Sequence, residues 1–349
     1  MAGIERRPVG AETPGNSTGK VTLRDVAEAV GVSISTASRS LAGAPGISKE
    51  VRARIQSAAE RLNYQGAAQS IAQITLLSDM HLAESTSGEF MLAVQRGMEK
   101  RAQELGLALS MKLVGPNSLA QLELDEETSG YLLFSMQHED LVQAIHDRGI
   151  PAVIVNGREP LMRIDSVAPA NRTGGYIGAR HLIENGHTRI LTLSHSKRPT
   201  IRDRIAGSRK AMREAGIECE EGLTIELEAM RSNLAFNAIR DRIDAKGSAD
   251  FTAILCCNDD CAFGAIAALN EAGLNVPDDV SVVGFDDIPT AAMNSVPLTT
   301  IRVEAEDIGE RGINRLLERI KSRDRIATYT ETAVKLVKRR STAPVSQRL

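Results

Sequence analysis

The sequence contains no tryptophan, and aromatic residues make up only 3% of it, so its core must be built from Leu, Ile, Val and Ala. Its four cysteines, Cys219, Cys256, Cys257 and Cys261, form no C-x-x-C pair and no zinc-ligand spacing. That excludes a disulfide framework and a structural zinc site, and reduced thiols in a cytoplasmic protein are expected. No apolar run approaches the roughly 20 residues of a membrane-spanning helix, so no membrane partner is expected. The first residues, MAGIERRPVGAETPGNSTGK, lack the apolar core of a signal peptide, and residues 1–19 read as a disordered tail. Asp259-Asp260 and Asp286-Asp287 are adjacent carboxylates with no accompanying nucleophile or metal set, so no catalytic residues, metal or cofactor are assigned.

A chain of 349 residues is long for one domain, and two or three compact units are expected. The net charge of −3 is unevenly divided. Residues 20–64 carry seven basic side chains (Lys20, Arg24, Arg39, Lys49, Arg52, Arg54, Arg61) against Asp25, Glu28, Glu50 and Glu60, a net +3. Residues 65–349 hold 33 basic and 39 acidic side chains, a net −6. A small basic module on a larger acidic body fits a DNA-binding head on a soluble body.

The segment TLRDVAEAVGVSISTASRSL (22–41) contains two short helical patterns around Gly31. Leu23, Val26, Ala27 and Val30 share one face of the first. Gly31 can leave the helix at positive φ, Val32 plugs the corner, and Ser33 stands where an N-cap belongs. The second pattern turns Ala37 and Leu41 inward. Outward lie Ile34, Ser35, Thr36, Ser38 and Arg39, a small, hydroxylic surface with one Arg that suits a major groove. An ordinary helical hairpin buried in a core is the alternative. A third pattern follows, capped by Ser48, with Val51, Ile55, Ala58, Ala59 and Leu62 at helical spacing. Residues 20–64 are therefore read as a helix-turn-helix headpiece and 65–73 as a hinge.

From Ile74 the texture changes. Apolar strands at 74–78, 107–114, 131–135, 152–156, 189–194, 252–257 and 280–285 alternate with helical patterns near 88–105, 139–148, 172–185, 201–215, 233–244, 260–272 and 304–320. Continuous apolar strands between helices predict an α/β architecture of parallel sheets covered on both faces, too many for one sheet, hence two doubly wound lobes. In such lobes ligands bind beyond the carboxyl ends of the strands. Polar residues follow the apolar runs at Ser78, Ser135, Asn156, Ser194, Asn258, Asp286 and Asp287.

These stretches resemble the lactose/galactose/purine repressor family of bacterial transcription regulators. The resemblance is carried by TLRDVAEAVGVSISTASRSLAG (22–43), ISKEVRARIQSAAERLNY (47–64), GYIGARHLIENGHTRI (175–190), IRDRIAG (201–207), AILCCNDDCAFGAIAALNEAGLNVPDDVSVVGFDDIP (253–289) and PLTTIRV (297–303), in the family's order. It implies an all-α three-helix headpiece, a hinge, and a two-lobed core (74–341) like the periplasmic sugar-binding proteins, with 342–349 as a tail. It also implies a cytoplasmic homodimer on double-stranded operator DNA, most simply a repressor, associated with the nucleoid when bound, and controlled by a small effector such as a sugar, sugar phosphate or related polar metabolite. Activation is left open, because it depends on operator position. Carried over by position, Thr22, Ser33, Ile34, Ser35, Thr36, Ser38 and Arg39 are expected at DNA, with Ile71 as a minor-groove wedge. Ser135, Asn156, Thr200, Arg204, Met230, Asn258 and Asp286 are expected at the effector.

Three departures from the family stand out. Tyr64 runs directly into QGAAQSIAQ (65–73), two residues short, and no Lys or Arg occurs between Arg61 and Arg96. Ala170 replaces a common Asp, and Met230 stands where an aromatic is usual. Asp287 is read as either a ligand contact or a brace for its loop, His195 as solvent-facing or supporting a ligand contact, and Lys335, Lys338, Arg339 and Arg340 as a solvated basic end. The rival function is a binding protein or enzyme on the same two-lobed fold, which would have no use for a recognition helix.

Overall fold

A computed structural model describes residues 21–41, 47–62, 64, 73–79, 88–115, 124, 128–136, 138–322 and 324–345. The chain divides into two units, Met1–Ile71 and Ala72–Leu349.

The first unit holds α1 (Leu23–Val30), α2 (Ile34–Leu41) and α3 (Lys49–Arg61). Thr22 opens α1 with a capping box: its backbone N–H and its hydroxyl donate to the Asp25 carboxylate at 2.6 and 2.8 Å, and the Asp25 N–H donates back at 3.4 Å. Gly31 ends the helix at φ 71°, a conformation that penalises any Cβ. Ser33 Oγ accepts the Thr36 N–H at 3.0 Å and starts α2, and Ser48 accepts the Val51 N–H at 3.3 Å to start α3. Val26, Ala27, Ala37, Ile55, Ala58 and Ala59 form the core. Arg54 of α3 donates to the Val30 carbonyl at 3.0 Å and so ties α3 to the end of α1. One expectation fails: Leu41 is 37% exposed, and Ser40 is buried. Both lie one turn beyond Ala37, and the packing of three helices brings the smaller side chain, at i+3, against the core.

The second unit contains two six-stranded sheets. Its strands are β1 (Gln73–Asp79), β2 (Ala108–Val114), β3 (Gly130–Phe134), β4 (Ala152–Val155), β5 (Asp165–Pro169), β6 (Ile190–Ser194), β7 (Thr224–Glu226), β8 (Ala253–Leu255), β9 (Ser281–Asp286), β10 (Thr299–Arg302), β11 (Tyr329–Thr332) and β12 (Lys335–Val337). Lobe 1 has the order β11-β5-β4-β3-β1-β2 and lobe 2 the order β12-β10-β9-β8-β6-β7. Among the described residues the pairings are parallel except that of β10 with β12. β3, β4, β6, β8 and β9 are buried along their whole length, which explains their unbroken apolar sequences.

The covering helices are α4 (Gly88–Glu104), α5 (Glu139–Asp147), α6 (Asn171–Glu184), α7 (Pro199–Glu214), α8 (Ser232–Lys246), α9 (Asp259–Glu271), the short α10 (Thr290–Met293) and α11 (Ala305–Lys321). The chain leaves lobe 1 after β5 and builds lobe 2 through β10. It then returns as α11 and β11, and ends in lobe 2 with β12. α11 is locked to lobe 1 by Asp165, which is fully buried and accepts from Arg315 at 2.7 Å, Arg319 at 2.7 Å and the Thr328 N–H at 2.8 Å. Of the basic residues in the C-terminal segment, Lys335, Lys338 and Arg340 are exposed as expected, whereas Arg339 is partly buried and paired. Arg339 donates to Asp287, Ser341 to the Val282 carbonyl, and the Val345 N–H to Asn185. Among the described residues no helix is long and apolar enough to cross a membrane.

Candidate functional site

On the headpiece, Ser33, Ile34, Ser35, Ser38 and Arg39 are exposed along one side of α2. Ile34 is 44% exposed. Thr36 is half-buried and its hydroxyl is hydrogen bonded to Ser33 Oγ at 2.8 Å. Thr22 is exposed, with its hydroxyl engaged in the α1 cap. Ile71 lies outside the described residues.

The other candidate site lies at the carboxyl ends of the strands in both lobes. In lobe 1, Ser135 follows β3 at φ 53° and Asn156 follows β4 at φ 59°, both in left-handed backbone that non-glycine residues seldom adopt. The two are held together: Asn156 Nδ2 donates to Ser135 Oγ at 2.9 Å. Asn156 Oδ1 and, at the end of β1, Ser78 Oγ are buried without a hydrogen-bond partner among the described residues. Buried polar atoms left open in this way call for a partner, which water or a bound group supplies.

Lobe 2 supplies an arginine held on every side. Arg204 projects from α7, and its donors reach Asn171 Oδ1 at 2.9 Å, the Cys257 carbonyl at 2.5 Å and Asp286 Oδ1 at 3.5 Å. α6 and α7 approach closely enough to permit this because both carry glycine at the crossing. A Cβ on Gly175 would stand 1.9 Å from the Arg204 carbonyl, and one on Gly207 the same distance from that of Arg172. Asp286 ends β9 at φ 118° and is buried. Burial pushes its carboxyl up to about 6, against the pull of Arg204 and Arg198. Asp259 beneath it is fully buried, accepts from Thr300 Oγ1 at 2.5 Å and the Ile288 N–H at 3.0 Å, and is raised well above the usual range by burial and then by Asp286.

Other expected residues take supporting positions. Asn258 caps α9, accepting the Cys261 N–H at 2.9 Å, and its Nδ2 reaches the Met230 carbonyl at 3.4 Å. Both it and Met230 are buried, as is Thr200 in the first turn of α7. Asp287 is a brace: it binds Arg302 and, at 2.6 Å, Arg339. His195 is buried, not solvent-facing, with Nδ1 against the Leu227 carbonyl at 3.0 Å. Asn171 and Phe285 were not singled out from the sequence. The Asn after Ala170 was the available signal for the first, whereas the ring's place under Arg204 is set only by packing.

A family model described as bacterial regulatory proteins, lacI family, matches residues 22–66, and one described as a periplasmic binding protein-like domain matches 179–342. The HTH-type transcriptional repressor PurR of Photobacterium profundum is 30% identical over 335 residues, covering 92% of this chain and 98% of that protein. Among solved structures, the regulator CelR in complex with cellobiose aligns at a TM-score of 0.70 with 25% identity, covering 92% of this chain and 99% of that one. The lac repressor dimer bound to operator and the anti-inducer ONPF aligns at 0.68 with 26% identity, covering 93% and 100%.

Proposed function

Since this chain belongs to the lacI family of bacterial regulatory proteins, we propose that the exposed face of α2 reads operator bases and that a sugar or sugar derivative binds between the lobes against Asn156, Arg204 and Asp286. The chain is a DNA-binding transcriptional regulator, a repressor whose operator affinity is controlled by a small molecule, and not an enzyme. Cellobiose in CelR and ONPF in the lac repressor show ligands that structurally similar proteins accept.

The observation that carries the effector assignment is the Asn171–Arg204–Asp286 chain of lobe 2, together with the open Asn156 acceptor of lobe 1. A carboxylate accepts two hydroxyl hydrogen bonds, and an arginine fixed by other groups orients them without further ordering. Ser135 holds Asn156, while Asn258, Met230 and Thr200 shape the wall of lobe 2. On the headpiece, Ile34, Ser35 and Arg39 are the base readers, Ser33, Thr36 and Ser38 the phosphate contacts, and Thr22 a further DNA contact. The functional division is a headpiece at 20–64, a hinge at 65–73 in which Ile71 meets the minor groove, and a core from 74 to 341.

One headpiece with a net +3 offers few phosphate contacts, so two must act together on two half-sites. Leu92, Met111 and Leu113, each about half exposed on α4 and the edge strand β2, supply apolar surface for a homodimer. The working compartment is the cytoplasm, with the protein on the nucleoid when bound to its operator. The test is selection of duplex DNA from a random pool by the full chain, with a thermal-shift screen of sugars, sugar phosphates and nucleosides. A ligand at about 100 times its Kd stabilises by about 2.7 kcal/mol. Enrichment of a two-fold symmetric sequence and a shift by a hydroxylated ligand support the proposal, and failure of both rejects it.

A further inference from the structure

The two lobes also meet directly, through a carboxylate with no part in the effector chemistry above. Glu89, in the first turn of α4 on lobe 1, accepts at Oε2 from the Thr290 hydroxyl at 3.3 Å and the Thr290 N–H at 3.5 Å. Thr290 begins α10 on lobe 2. A second carboxylate bears on the same place. Asp260, half-buried in the first turn of α9 on lobe 2, is raised above the usual carboxylate range by burial and then by the charge of Glu89. Asp260 in turn opposes ionisation of Asp286, whose carboxyl burial raises against the pull of Arg204 and Arg198. The contact therefore combines an attraction, from the Thr290 donors, with a repulsion from Asp260. Through Asp286 it reaches the effector pair.

We propose that Glu89 is a positioning residue for the allosteric response: it fastens lobe 2 to lobe 1 through Thr290, and Asp260 opposes it, so that the charge on Glu89 and Asp260 biases the arrangement of the lobes. Either lobe can alter this pair without contacting the effector, which is what a two-state element between sites requires. The consequence for DNA rests on the function proposed above; the contact itself does not.

Two experiments on the full chain separate these layers. The first is hydrogen exchange on the DNA-free protein. Glu89→Ala, or the milder Glu89→Gln, should speed exchange in the peptide containing Thr290 by about fivefold or more, and Asp260→Asn should slow it. The second is affinity for a duplex selected by the parent protein, measured without effector. Glu89→Gln and Asp260→Asn should shift it in opposite directions, by about fivefold each. Thr290→Val should shift it in the same direction as Glu89→Gln, and the Glu89→Gln/Thr290→Val pair should be non-additive. Unchanged exchange at Thr290 in both Glu89 variants overturns the contact. Altered exchange with operator affinity that is unmoved, or moved in the same direction by Glu89→Gln and Asp260→Asn, overturns its role in coupling.

Discussion

The guanidinium of Arg204 lies 3.5 Å from the centre of the Phe285 ring, and its edge is bonded to Asn171, the Cys257 carbonyl and Asp286. Stacking fixes the plane and the hydrogen bonds fix the rotation, so little conformational entropy remains to be lost when a ligand binds. Asp286 bears the electrostatic cost of this arrangement. It is buried beside one arginine and above a second buried acid, Asp259, and its carboxyl stands at about 6.

That value sets a pH dependence of definite sign. A carboxyl raised by folding destabilises the native state while ionised, and the penalty is relieved as pH falls through about 6 toward the unfolded value of about 3.9. Asp286→Asn should therefore be more stable than the parent near neutral pH, with the advantage shrinking by about pH 5. Effector binding should move the other way, weakening in the parent as the acceptor is protonated. Thermal melts and ligand titrations across this range check both.

Removing the Asp286 side chain should cost about 2–4 kcal/mol of effector affinity, since it takes away the acceptor and leaves Arg204 without its carboxylate. Affinity for a selected operator in the absence of effector should be retained, because the headpiece is a separate unit. Calorimetry with the ligand found by screening, alongside an operator titration of Asp286→Ala, measures the two effects.

Gly175→Ala places a methyl 1.9 Å from the Arg204 carbonyl, so α6 and α7 must separate. Overpacking of this kind costs about 1–3 kcal/mol. Because the same crossing positions Arg204 against Asn171, effector affinity should fall with stability. A ligand titration and a urea melt on one preparation show whether they fall together.

Asp165 makes a prediction of opposite sign. Hydrogen bonds from Arg315, Thr328 and Arg319 outweigh burial and hold its carboxyl below the usual range. Its contribution is present above the unfolded value of about 3.9 and is lost as pH falls through the lower, folded one. Asp165→Ala leaves two arginines without their buried partner and should destabilise lobe 1 by about 3–5 kcal/mol, read as a lower urea midpoint.

Much of this architecture was readable as local pattern. Gly31, Ser33 and Ser48 marked helix boundaries through capping chemistry that depends on neighbouring residues alone, and the central strands were readable because burial on both faces demands unbroken apolar runs. What escaped was set by distant partners. β5 (DSVAP) begins with a charged residue that only Arg315 and Arg319, about 150 positions away, make tolerable. β7, β11 and β12 are short edge strands with polar residues. The return of α11 and β11 to lobe 1 is a matter of which sheet edge was left open. Likewise Asp286 stood out as a polar residue after an apolar run and Arg204 only through the family resemblance, and the approach of Arg204 to Asn171 depends on glycines at a helix crossing. Leu41 was misassigned because a helix of eight residues gives too few repeats to fix its inward face to within one position.

Arg39 tests the headpiece by itself. Truncation to Ala should cost about 1–3 kcal/mol on the selected operator and relax preference at one base pair per half-site, while Thr36→Ala should weaken all sequences more evenly. Competition binding against single-base operator variants distinguishes the two.

The most direct test of ligand-controlled DNA binding is one titration. The full chain is equilibrated with its selected operator, with and without a ligand that raises its melting temperature, and the operator dissociation constant is compared. A change of about 5-fold or more, abolished in Asp286→Ala but retained in Arg39→Ala at its own weaker affinity, is the predicted result. A ligand that stabilises the core but leaves operator affinity unchanged would contradict the account.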